Sequence, residues 1–154
     1  MPEQCRIRRA RPGEAADLTA LALRSKAHWP YDQTFMDVFR RTLKITEQQI
    51  RAHHVLVHET VGVVDAVGVL ALYDGEWELD HLWVDPPAIG RGVGKRLLAA
   101  FLAEARRRGA GRVVLNADPH AEPFYRRMGA VKIGDHPVAE IPGRVLPRLA
   151  LNLD

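Results

Sequence analysis

The sequence contains a single cysteine, Cys5, in 154 residues. No intramolecular disulfide can form, and nothing points to an oxidising compartment. No apolar run approaches the ~20 residues needed to span a bilayer. The opening stretch MPEQCRIRRA is polar and basic, without the apolar segment of a secretory signal. Internal repeats and low-complexity linkers are also absent. These absences lead to the expectation of a cytoplasmic protein with no membrane contact. What remains is ordinary globular material: 47% of residues are hydrophobic, enough for a core, and the length suits one domain over residues 1–154.

The net charge is +3, with basic clusters at RIRRAR (6–11) and RRR (106–108). A basic patch suits nucleic acid or a polyanionic ligand. The second cluster directly precedes Gly109, where a helix would stop, and cations there complement the helix dipole. We read both clusters as solvated surface that favours polyanions in general, and nucleic acid as a disfavoured partner.

Strands and helices alternate in short units. Residues 4–9 alternate as a strand. PGEAADL begins a helix that carries Leu18, Leu21 and Ala22 to about Lys26. A second helix starts after Asp32, a residue suited to an N-cap. The pattern then becomes strand-like over 53–60, 62–75 and 76–86, with turns at Gly62 and Asp74-Gly75. A glycine turn opens an amphipathic helix bearing Leu97, Leu98, Phe101, Leu102 and Ala105. RVVLNA (112–117) is a strand, 121–129 a short helix, and two strands close the chain near 130–134 and 145–153, the last with Val145, Leu149, Leu151 and Leu153 on one face. Pro147 marks an edge or a bulge. The order β-α-α-β-β-β-α-β-α-β-β, with a parallel crossover over 76–117, predicts an α/β fold: a mixed central sheet with helices on both faces.

The glycine turn, IGRGVG at 89–94, can be tested against known phosphate-binding patterns. Gly94 and Lys95 match the end of a P-loop, but Ile89 stands where its first glycine belongs and Arg96 where its magnesium-binding hydroxyl belongs. Gly90 and Gly92 match the start of the dinucleotide fingerprint, but Lys95 replaces its third glycine. A third pattern, [QR]-x-x-G-x-[GA], is met by Gly92 and Gly94. Backbone N–H groups at a helix N-terminus cradle an anion, and glycine lets phosphate approach.

On this turn, on the strand LWVDP before it, and on NADPHAEPFYRRMGA after it, the chain resembles the GNAT superfamily of acetyl-coenzyme A-dependent N-acetyltransferases over nearly its whole length. Three positions depart from the pattern. Ile89 replaces the usual Gln or Arg, Asp118 stands where relatives often carry Asn, and Ala130 replaces an aromatic residue.

The resemblance implies acetyl transfer to a primary amine by direct attack, with Cys5 a spectator and no metal. It places the coenzyme A pyrophosphate on Gly90, Arg91, Gly92, Val93, Gly94 and Lys95, and the pantetheine arm along Leu82, Trp83 and Val84, with Asn116 nearby. Tyr125 matches the tyrosine that protonates the leaving thiolate. Glu78 resembles the catalytic glutamate of some members. Strand parity sets Glu78 and Asp80 beside Leu82 and Val84, both carboxylates facing one cleft, and turns His81 away unless a bulge intervenes. The base is therefore Glu78, Asp80, His81 or water. His28, Trp29 and Tyr31, between the first two helices, would shape the acceptor pocket, their aromatic faces suited to a cationic amine. Relatives often form homodimers, with the last strands as contact edges. The alternative reading is a module on the same fold that senses coenzyme A or contacts nucleic acid without catalysis.

Overall fold

A computed structural model describes residues 4–153. Its strands are β1 (Cys5–Arg9), β2 (His54–Thr60), β3 (Val63–Tyr73), β4 (Glu76–Val84), β5 (Arg112–Asn116), β6 (Val131–Pro137) and β7 (Val145–Asn152). Its helices are α1 (Ala15–Ala27), α2 (Gln33–Thr42), α3 (Glu47–Ala52), α4 (Val93–Arg107) and α5 (Glu122–Arg127). The sheet order is β1-β2-β3-β4-β5-β7-β6. Only β4 and β5 run parallel; every other pairing is antiparallel. This is the mixed sheet that the sequence pattern predicts.

Two apolar cores flank the sheet. On one face Leu97, Leu98 and Phe101 of α4 and Tyr125 of α5 pack on Leu70, Leu79, Val113, Leu149 and Leu151. On the other face Leu18, Leu21, Met36, Phe39 and Ile50 of α1–α3 pack on Val55, Val57, Val67 and Val69. Alternation along the strands feeds both cores. Gly68 lets α4 come close: a Cβ there would lie 2.4 Å from Phe101 Cε2. Asp32 caps α2 as expected, accepting from the Phe35 N–H at 2.9 Å.

Several expectations need correction. The strand parity assumed for β4 fails because the strand is bulged. Val69 pairs with His81 and Leu70 with Leu79, so Asp80 is an extra residue. The bulge reverses the faces beyond it. Glu78 and Trp83 share the α1 side together with His81, while Leu82 and Val84 join the α4 core. The sequence reading also lacks α3. β7 is an interior strand, and Pro147 faces Ala117 just past Asn116↔Arg148, the last β5 pair: it accepts the Ala117 N–H at 2.9 Å but has no N–H to return, and the β5 ladder ends there. The local irregularity falls on the partner strand, between Lys132 and Gly134. Val145 shares parity with Leu149 but is exposed beyond the core.

β4 and β5 pair at only two positions, Trp77↔Val113 and Glu78↔Val114. After the bulge they diverge, and β4 from Leu79 to Val84 has no strand partner on its β5 side. This splay sets the place of the main cleft.

Candidate active site

The cleft has a volume of about 680 Å³. Leu82, Trp83 and Val84 form one wall; Gly90, Gly92, Val93, Gly94 and Lys95 close one part of it; Phe124, Tyr125 and Met128 of the α5 segment line another. The remaining wall comes from Lys26 and Trp29 at the end of α1 and from Asp118 and His120 in the β5–α5 loop. Segments that are far apart in the chain thus meet where the sheet is split.

The glycine turn is shaped to receive an anion. Gly90 (φ 85°) and Gly92 (φ 76°) adopt the left-handed conformation that favours glycine. Gly92 is the N-cap of α4 and brings no side-chain cap, so the first N–H groups of a 15-residue helix remain open. The first helical bond runs from the Arg96 N–H to the Gly92 carbonyl at 3.0 Å. Gly94 keeps the helix against β4: a Cβ there would lie 3.3 Å from Val84 Cγ2 and 3.7 Å from Phe124 Cζ. Arg96 braces the turn by donating to the Arg91 carbonyl (3.3 Å) and to His58 Nε2 (3.3 Å), and the buried His58 in turn meets Asp65 through Nδ1 at 2.7 Å. The Arg91 side chain is not part of the cleft lining, whereas Lys95 is.

Tyr125 is buried at the cleft wall. Burial, reinforced by the charge of Asp118, pushes its phenol above the ordinary range. Its hydroxyl has no side-chain partner among the described residues.

The candidate bases stand apart from the cleft lining. Glu78 is paired with Arg148 (2.9 Å), which also donates to Asn116 Oδ1 (3.0 Å). Asn116 is thereby drawn into this bridge across the root of the splay rather than lining the cleft. Asp80 accepts from the Tyr73 hydroxyl, and burial pushes its carboxyl upward. His81 is brought to the Glu78 face by the bulge, but its Nδ1 accepts from Trp83 Nε1 at 2.9 Å. Burial lowers its pKa to about 4, so it is neutral at neutral pH.

Of the expected acceptor residues, Trp29 lines the cleft and stacks on His120 at 4.9 Å and 4°. His28 packs edge-on against Trp29 from outside. Tyr31 donates its hydroxyl to Asp118 Oδ2. The same oxygen receives Lys26 Nζ at 2.5 Å and Arg144 Nη2 at 3.4 Å, while Asp118 Oδ1 takes the His120 N–H at 2.8 Å. Burial pushes Asp118 up, but Lys26 and these hydrogen bonds outweigh it and hold the carboxyl below its usual range. Asp118 is therefore neutralised by the protein itself and adds no bare negative charge to the cleft. Sequence reading missed Lys26 and Arg144 as site residues. Each is an ordinary helix-end or loop cation in its local context, and no local pattern joins them to Asp118.

The basic clusters are largely matched by neighbouring carboxylates. Arg8 binds Glu14 and Glu59, Arg6 binds Glu59 at 2.5 Å, and Arg107 and Arg108 both bind Glu104.

A family model described as an acetyltransferase (GNAT) domain matches residues 14–140. A GCN5-related N-acetyltransferase from Rhodopseudomonas palustris has a TM-score of 0.82 at 23% identity, covering 96% of this chain and 95% of that one. The PaiA N-acetyltransferase from Thermoplasma acidophilum, solved in complex with coenzyme A, has a TM-score of 0.81 at 14% identity, covering 97% and 99%. At these identities the likeness is one of fold. Among curated proteins, glucosamine 6-phosphate N-acetyltransferase 1 of Oryza sativa subsp. japonica is 39% identical over 54 residues, 35% of this chain. The match spans about a third of that relative's length (33%).

Proposed function

Because the chain belongs to the GNAT acetyltransferase family, we propose that it transfers an acetyl group from acetyl-coenzyme A to the primary amine of an acceptor, by direct attack and without a covalent enzyme intermediate. The observation that carries this reading is the meeting, in one cleft, of an uncapped helix N-terminus, the open edge of β4 and the buried Tyr125. The name of the rice relative, an N-acetyltransferase of an amino sugar phosphate, supports an amine acceptor.

The residues present fit the cofactor. Between Gly90 and Lys95 the open N–H groups at the start of α4 offer an anion cradle, Gly94 lets that start lie against Val84 and Phe124, and Lys95 adds charge. Trp83 turns its backbone groups to Val67 of β3, and Leu82 and Val84 on either side of it present theirs along the split, suited to an amide-bearing arm and to a carbonyl oxygen as it gains charge. When bound, acetyl-coenzyme A supplies the acetyl thioester. Tyr125 keeps its proton throughout the neutral range and offers it toward the departing sulfur; it serves as a donor, not a base. Glu78 is held by Arg148, Asp80 by Tyr73, and His81 has little affinity for a proton. We therefore assign the acceptor's proton to water in the cleft mouth.

Free thiol released from acetyl-coenzyme A, measured across an amine library, tests the activity. Tyr125→Phe is expected to lower kcat by roughly 10²-fold, in the range for general acid catalysis, with coenzyme A affinity little changed. Unchanged turnover would remove Tyr125 from the reaction.

A further inference from the structure

Of the residues expected to receive a cationic amine, Tyr31 already holds the protein's own cations, together with the rings of Phe35, Phe39 and Trp83. Lys26 Nζ lies 4.3 Å from the Phe39 ring centroid, 5.0 Å from that of Tyr31 and 5.5 Å from that of Trp83. The Arg144 guanidinium carbon lies 5.3 Å from the centroid of Tyr31, 5.4 Å from Phe35 and 5.7 Å from Phe39. Both cations converge on one carboxylate oxygen, Asp118 Oδ2. Side-chain exposures are only 9% for Lys26, 12% for Arg144 and 14% for Asp118, so these charges are poorly solvated. Two cations against one anion leave one positive charge in excess. The neighbouring Glu78–Arg148 pair is neutral as a unit and does not compensate it.

Arg144 is not itself part of the cleft lining but stands behind Asp118, which is, and it has donors to spare. Its Nη2 serves Tyr31 Oη at 3.0 Å and Asp118. Its Nε and Nη1 have no protein partner among the described residues, and neither is sealed from solvent. Three rings surround the guanidinium carbon, so part of the entropy of ordering a long side chain is already spent. A guanidinium with open N–H groups matches an oxyanion in shape and charge.

We propose that the acceptor amine carries an oxyanion, a carboxylate or a phosphate, which is bound by Arg144 and the excess positive charge of the Lys26–Asp118–Arg144 cluster. This rests on the acetyltransferase reading and narrows its substrate class. Arg144 is a specificity-determining residue here and takes no part in bond making. The cluster bars simple polyamines, since another cation would meet Lys26 and Arg144 on the same rings. Its surplus charge is satisfied only when the acceptor arrives.

The test compares matched acceptors in the thiol-release assay with the full chain. L-amino acids are paired with their amides, and phosphoethanolamine with ethanolamine, so the two arms separate carboxylate from phosphate. We expect kcat/KM at least tenfold higher for the anionic member in one arm, carried mainly by KM. Arg144→Gln should reduce that ratio at least tenfold, and Arg144→Lys should retain part of it. Equal kcat/KM within both arms in the wild-type protein overturns the proposal without any variant. A preference that survives in Arg144→Gln overturns the assignment to Arg144. Absence of thiol release with every amine is a different failure: it brings down the acetyltransferase reading and this inference with it.

Discussion

Single residues decide whether the glycine turn can work. Gly94 has no left-handed φ to excuse it; its role is the close approach of α4 to Val84 and Phe124. Gly94→Val should abolish acetyl-coenzyme A binding in calorimetry while leaving the far-ultraviolet circular dichroism spectrum close to wild type. Retained binding would show that the pyrophosphate sits elsewhere. The turn was readable in the sequence because its chemistry is local: glycines, a helix start and a lysine within six positions. Ile89 departs from the family pattern and is half-exposed at the cleft rim, where its side chain offers no donor. Asp118 was readable only as an anomaly. Its partners Lys26 and Arg144 lie 92 and 26 residues away in the chain, and only the fold brings them together.

Elements were legible where period and punctuation agreed. α4 and the valine-rich strands announced themselves through hydrophobic spacing. α3 did not, because a helix of six residues is too short for a periodic signal. It does carry a local one: Thr46 accepts from the Gln49 N–H at 3.1 Å, and the Gln49 side chain accepts from the Thr46 N–H at 2.9 Å. This reciprocal capping box at Thr46-x-x-Gln49 could have revealed the helix. Thr46→Ala should cost about 1 kcal/mol of stability, read as a lower midpoint in urea unfolding. An unchanged midpoint would mean that Ile50 packing alone holds the segment. The β4 bulge could not be read from alternation, since one extra residue leaves the composition unchanged and reverses every face after it.

At the scale of the whole molecule, connection lengths foretold the antiparallel run of β2, β3 and β4 and the one parallel crossover, but not that β7 inserts between β5 and β6. Nor did they foretell the fate of the basic clusters. Four of the clusters' seven arginines pair with carboxylates, Arg6 and Arg8 across elements and Arg107 and Arg108 at the end of α4, rather than waiting for a polyanion. Arg8 of β1 holds Glu14, just before α1, at 2.8 Å and Glu59 of β2 at 3.1 Å. Chiefly through the Arg8 hydrogen bonds, Glu14 is lowered from 4.5 to about 2. A folded-state pKa below the unfolded one stabilises the protein above about pH 4.5, and that contribution disappears as the pH falls toward 2. Acid unfolding should therefore be shallower in Glu14→Gln than in wild type over that window, with the variant less stable at pH 7. Parallel curves would exclude Glu14 as a contributor.

The divergence of β4 from β5 has one more consequence, for cooperativity. Seven strands form one ladder in name, but across this seam they are joined by only two backbone rungs. The tie is supplemented from outside the ladder, by Arg148 between β7 and β4 and by Lys26 between α1 and the β5–α5 loop. A ligand lying in the seam takes the place of missing rungs, and mass action converts its affinity into resistance to unfolding. The sheet is thus unfinished by one strand, and on the proposed reading acetyl-coenzyme A is the missing piece of architecture as well as the reagent.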